Sequence, residues 1–325
     1  MLTPSPATGP RTSPQRSAGG ADRTLNAHEQ PGRTPSRRHR RAASRFDPQR
    51  SSAGPAGVSG RGLLALALCA AALVGAFVLA PGRLAAGRSD GDLVNHHQLI
   101  ADVHSGFVEY WHSDSRQLSP HLARVVDYWY RFHLVKGLIS VLLLAVLLML
   151  TIALWKNFLT AGGAARRAGL ASAGVFTPLL ALLALAAVMA NIQGAAAPLS
   201  SLLPMLSEGG TDPALADALG QATRQLADSP SGAQTVPALH VMTADFARYH
   251  VVMAVIAAVL AVVLFTVSVL LWKRVSVDRR ATRVTRVFGV LTAVLTLALL
   301  VHVAANVSAA AHSASVLLDG LRGGL

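Results

Sequence analysis

Five runs of about 19–23 apolar residues organise this 325-residue chain, and each has the length that crosses a hydrocarbon core roughly 30 Å thick. They fall at Gly62–Ala80 and at about 134–155, 170–192, 251–272 and 287–309. Backbone polar groups in hydrocarbon must find partners within their own segment, which leaves the helix as the form such runs can take. Charged residues are 14% of the chain, against about 25% in a soluble domain. The expected fold class is therefore an all-α integral membrane protein.

The runs divide the chain. Residues 1–61 are rich in Pro, Gly, Ser and Arg and nearly free of large apolar side chains, so they are expected to form a disordered basic tail. Residues 62–80 read as an anchor helix. Val78-Leu79-Ala80 resembles a signal-peptidase site, but Pro81 disfavours cleavage and the segment is read as retained. Residues 81–133 form a first helical excursion on the outer side. Within it, Leu93, Ile100, Val103, Phe107 and Trp111 recur with helical spacing. Ser119-Pro120 is an N-cap with proline at the first helical position, opening a helix that continues into the next span. Residues 134–192 are a first transmembrane hairpin and 193–249 a second outer excursion. There Asp212-Pro213 starts a short amphipathic helix (Leu215, Leu219, Ala222, Leu226), and Pro237 starts another. Residues 250–311 are a second hairpin, and 312–325 an outer tail. The lone Cys69 lies inside the first run and reads as a buried membrane thiol, so no disulfide framework exists.

Net charge is +13, and the tail alone, with 11 Arg and 3 acids, carries +8 of it. The densest cluster is Ser36-Arg37-Arg38-His39-Arg40-Arg41. Contact with anionic lipid is the leading reading. A twin-arginine export signal fits less well, because His39 and Arg40 stand where apolar residues are favoured. Nucleic acid is not an expected partner, since no aromatics are interleaved for stacking. Basic residues concentrate on one side of the membrane: segments 1–61, 156–167 and 273–286 hold 20 of the 29 Lys and Arg but 4 of the 16 acids. The expected topology places those segments and the N-terminus in the cytoplasm and the C-terminus outside the plasma membrane.

The chain also repeats itself. Arg131-Phe132-His133 precedes the second run and Arg248-Tyr249-His250 the fourth; each run ends in Leu-Trp-Lys, at Trp155 and Trp272, 22 residues after its histidine. The third run ends on Ala190-Asn191 and the fifth on Ala305-Asn306. This pattern predicts a tandem repeat of two transmembrane hairpins forming a four-helix bundle, beside the anchor helix and beneath a helical extracytoplasmic cap. It pairs His133 with Asn191 and His250 with Asn306 at the outer ends of the hairpins.

Ten of the twelve histidines map to the outer side. His97 and His104 lie seven apart with Trp111 on one helix face; Glu109 and His112 stand at i,i+3, a spacing that can hold a metal. With His133, His250 and His302 they are the candidate ligands of a zinc, copper or haem site, the alternative to a protein without cofactors. His302 lies within a run, where ionisable groups are costly. No phosphate loop, nucleophile elbow, zinc-protease or dinucleotide motif occurs, and no acid lies inside a run, so neither an enzyme nor a charge-relay carrier is expected.

Val188-Met-Ala-Asn-Ile-Gln-Gly-Ala, the paired Arg-aromatic-His helices and the basic tail resemble uncharacterised actinobacterial multi-pass membrane proteins, some of them labelled as carrying a twin-arginine signal. The resemblance spans about 127–318 and implies a membrane location and this architecture, with no activity attached. The expected function is a non-enzymatic envelope scaffold or partner-binding subunit, associating with another protein or with its own copies. The alternatives are a redox accessory using the outer histidines and a small-solute channel.

Overall fold

A computed structural model describes residues 58–210, 212–228, 236–273 and 279–323, and every element among them is helical. The expected disordered tail, with its arginine cluster, lies outside the described residues up to residue 57. Five helices are long and apolar enough to cross a membrane. They are α1 (Gly60–Ala86), α3 (Pro120–Thr160), α4 (Ala164–Ala196), α7 (Pro237–Lys273) and α8 (Arg279–Ala311), and shorter helices lie between and after them.

Side-chain caps start four of these elements, and for α3 and α6 they do so where the sequence predicts. Ser59 Oγ accepts from Gly62 N (3.2 Å) at the start of α1. Asn95 Oδ1 accepts from His97 N and Gln98 N at the start of α2 (His96–His112). Ser119 Oγ accepts from Leu122 N at the start of α3, with Pro120 in its first turn. Asp212 Oδ1 accepts from Leu215 N (2.7 Å) ahead of α6 (Pro213–Asp228). Each cap satisfies donors that a helix start otherwise leaves open. Helix α3 runs unbroken for 41 residues, about 60 Å and twice the hydrocarbon thickness. Its first part therefore stands above the spans. A three-residue connection joins α3 to α4, with Gly163 at φ +84°, a left-handed conformation that glycine adopts without strain.

Three elements differ from expectation. Helix α1 does not stop at Pro81 but continues to Ala86. Pro81 is buried and Ala85 and Ala86 join the cap core, and that packing outweighs the backbone bond the proline forgoes. Leu93 falls in a separate short 3-10 turn, Asp92–Val94, because Asn95 interrupts the helix to cap α2. Within the expected outer tail, residues 313–323 form α9 (Ser313–Gly323), which buries Leu317 completely and packs Ala314, Leu318 and Leu321 against the cap core. Those positions follow the i, i+3, i+4, i+7 spacing of a core-facing helix.

The main core lies in the cap. Tyr110, Val103 and Phe107 of α2, Leu122, Val125 and Tyr128 of α3, and Leu215 and Leu226 of α6 are buried together. Leu239 and Met242 of α7 join them, as do Leu199 and Leu202 from α5 (Pro198–Leu202), a short helix that had no expected counterpart. The spans pack instead as an open row, α1 on α3, α3 on α4, α4 on α7 and α7 on α8. Among the described residues α8 does not pack back against α3, so the row is not closed into the expected four-helix bundle. In lipid, apolar side chains such as Val262, Leu297 and Val301 gain nothing from turning inward, so their exposed faces supply no closing force.

Candidate functional site: the cap and the membrane edge beneath it

Two arginines of α3 tie the cap together. Arg124 Nη2 donates to Asp92 Oδ2 (2.8 Å) and Asp102 Oδ2 (3.0 Å), and its Nη1 lies 3.9 Å from Asp90 Oδ1. Two turns further on, Arg131 Nη2 donates to Asp90 Oδ2 (2.7 Å) and Asp127 Oδ2 (2.9 Å). Asp90 follows α1, Asp92 lies in the 3-10 turn and Asp102 is on α2, so the network joins three consecutive pieces of chain to α3. The Asp90 side chain is 4% exposed and is held by both guanidiniums, as a buried carboxylate requires. The hydrogen bond from Arg124 holds the Asp92 carboxyl below the usual carboxylate range. His121 stands beside the network, 3.6 Å from Asp102 and 4.0 Å from Glu109. Sequence reasoning missed this cluster. Its signal was present in the three acids at 90, 92 and 102, but their partners lie 22–41 residues away.

Below the network, at the edge of the apolar runs, His133 Nδ1 lies 3.0 Å from Asn191 Oδ1. His250 Nδ1 lies 2.9 Å from Asn306 Oδ1. Both asparagines also donate through Nδ2 to a carbonyl one turn earlier, Ala187 O (2.7 Å) and His302 O (2.9 Å). Both imidazoles are flanked by aromatic edges: Trp129 and Phe132 at 4.9 and 5.8 Å for His133, Phe246 and Tyr249 at 4.7 and 5.6 Å for His250. A carbonyl-type acceptor on Nδ1 assigns the proton to that nitrogen. The His133 ring lies directly over Gly194, where a Cβ would stand 2.5 Å from its Cε1 and Nε2; that Nε2 is buried without a hydrogen-bond partner. At the opposite ends of the same helices, Trp155 covers Gly174 and Trp272 covers Gly289.

The remaining candidate ligands go to separate places. His97 is exposed at the start of α2, while Trp111, expected on its face, is buried and donates Nε1 to Gln221 Oε1 (3.0 Å). His104 Nε2 lies 2.9 Å from Met205 O. Glu109 faces His121 rather than His112, which is exposed at the end of α2. His302 Nε2 is 3.3 Å from Asn306 Nδ2, so Asn306 alone connects His250 and His302. Among the described residues no three His, Cys, Asp or Glu side chains converge as a metal-holding group. The contacts that these side chains make join helices to one another.

No protein-family model, no curated protein and no solved structure matches the chain.

Proposed function

We propose that this protein is a non-enzymatic scaffold or partner-binding subunit of the plasma membrane, built from a duplicated transmembrane hairpin with its cap outside the cell. The observation that carries this reading is the cap itself. Segments from one end of α1, α3 and α7, together with α2, α5, α6 and α9, share one apolar core. The arginine–aspartate network pins the early segments to α3. Such an assembly spends its polar groups on one another and fixes the ends of the spans relative to each other, as a platform requires and a catalytic cleft does not.

The duplication is supported by a constant register. His133 and His250 are 117 residues apart, as are Trp155 and Trp272. Gly174 and Gly289 are 115 apart, as are Asn191 and Asn306. One two-residue difference in the connection accounts for both offsets. The topology is supported by the same distribution of basic residues, since Arg166 and Arg167 follow the α3–α4 connection at the end of those helices remote from the cap.

Affinity purification of the full chain from its native membrane tests the function. A stoichiometric protein partner, lost when charge-reversing substitutions are placed on the exposed cap surface, supports it. A monodisperse preparation with neither partner nor self-association overturns it. Reporter fusions after Arg167 and Arg280 are expected to read cytoplasmic, and one at Ser229 external; an external signal at Arg280 reverses the topology.

A further inference from the structure

We propose that the crevice between α1, α3 and α4 binds one anionic phospholipid, an acyl chain lying between the helices and the headgroup phosphate on Lys136. The crevice has a volume of about 500 Å³. Its walls run from Ala67 to Phe77 on α1, Ser140 to Leu150 on α3 and Thr177 to Ala187 on α4. Each stretch covers eleven residues, about 15 Å of helix from first to last, or about half of a hydrocarbon core. It arises because α1 packs along α3 while small residues, Ala67 and Ala71 on one side and Ala184 on the other, keep α1 and α4 from filling the space between them.

Chemistry selects the occupant. The two hydroxyls on the wall are committed to their own helices: Ser140 Oγ donates to Lys136 O (2.8 Å) and Thr177 Oγ1 to Ala173 O (2.7 Å). All other lining side chains are hydrocarbon. A polar ligand would be stripped of water here with no compensation, whereas a hydrocarbon chain loses nothing. At the cap-side mouth the chemistry changes. Lys136 is one turn above Ser140, and its Nζ lies 4.7 Å from the ring centre of Phe77, itself a lining residue, and 5.1 Å from that of Phe132. Lys136 pairs with no acid among the described residues, although acids abound higher in the cap. An ammonium held by two rings at the edge of the apolar run, above a chain-shaped slot, matches a phosphate esterified to a long chain.

The inference needs the chain to span a bilayer but does not depend on the scaffold reading, so either can fail alone. The test uses full-length protein in mild detergent, with native mass spectrometry after titration with phosphatidylglycerol or phosphatidylcholine of identical acyl chains. One phosphatidylglycerol is expected to be retained about five-fold more tightly than phosphatidylcholine, the share of one basic residue at an anionic headgroup. Lys136→Gln should erase that preference, weakening phosphatidylglycerol about five-fold and phosphatidylcholine less, because choline already offsets the charge of its phosphate. Ala67→Leu with Ala71→Leu, both exposed positions that point into the slot, should weaken both lipids several-fold, and Val262→Leu on α7 should change neither. If the double variant is not monodisperse, Ala71→Leu alone carries the same reading. Retention that ignores the leucines, or a headgroup preference that survives Lys136→Gln, overturns the proposal. So does a wild-type dimer that the leucines dissociate, which would assign the slot to a second copy.

Discussion

Two glycines border the same His133–Asn191 contact, and their substitution to alanine should have opposite effects. At Gly137 an added Cβ would lie 3.5 Å from the Asn191 Cβ, ordinary van der Waals contact. At Gly194 it would lie 2.5–2.7 Å from three atoms of the His133 ring. That ring cannot swing aside cheaply, because Trp129 and Phe132 hold its edges and Asn191 holds Nδ1. Gly137→Ala removes a mid-helix glycine and is expected to be neutral or to stabilise by up to about 1 kcal/mol. Gly194→Ala overfills the contact, which costs about 1–3 kcal/mol, and breaks an interhelical hydrogen bond contributing about 0.6–1.7 kcal/mol in a membrane protein. The two variants should therefore differ by about 2–6 kcal/mol. Unfolding of the purified protein in mixed micelles, followed by circular dichroism against dodecyl sulfate mole fraction, measures the difference. Stabilities within about 0.5 kcal/mol of each other would refute the reasoning that His133 is clamped over Gly194.

The other expectations concern the same contacts and the cap. A double-mutant cycle of His133→Ala and Asn191→Ala should give a coupling of about 0.6–1.7 kcal/mol, and His250→Ala with Asn306→Ala a similar one; zero coupling in both would remove the hydrogen bonds from the energetics. Arg131→Gln leaves Asp90 with only the more distant Arg124, and should lower the melting stability by about 2–3 kcal/mol, less than a fully buried pair because the arginine is partly exposed. For pH, the Asp92 carboxyl is held low by Arg124, so its contribution is present above the ordinary carboxylate range near pH 4 and is lost as pH falls through the lower folded value. Stability of the cap should fall across that acid window, and Asp92→Asn should flatten the fall when melting is followed from pH 6 to 3. Tyr110 Oη is buried without a partner, so Tyr110→Phe should stabilise by about 1 kcal/mol, measured as a raised melting temperature.

Much of this is legible in the sequence. The lengths of the apolar runs marked all five long helices, and Ser119-Pro120 and Asp212-Pro213 marked helix starts, because these are local properties read through a single turn of chain. The pairing of His133 with Asn191 was legible too, since self-comparison of the sequence supplied a register that hydropathy lacks. The stripe of Ala314, Leu317, Leu318 and Leu321 was equally readable, yet a short amphipathic segment near the end of a chain carries the same pattern whether or not a surface waits for it.

The sequence by itself determined that the chain must bury long helices in hydrocarbon, because unpaired backbone in lipid is too costly for any alternative. It also determined where α3 and α6 begin, through caps whose donors and acceptors lie within three residues. Only the tertiary structure decided that Asp90, Asp92 and Asp102 converge on Arg124 and Arg131, that α1 continues through Pro81, and that the spans form an open row with a slot beside α1. Those outcomes depend on which faces meet, and in lipid apolar faces carry little preference of their own. The cap, where water still drives burial, is what sets them.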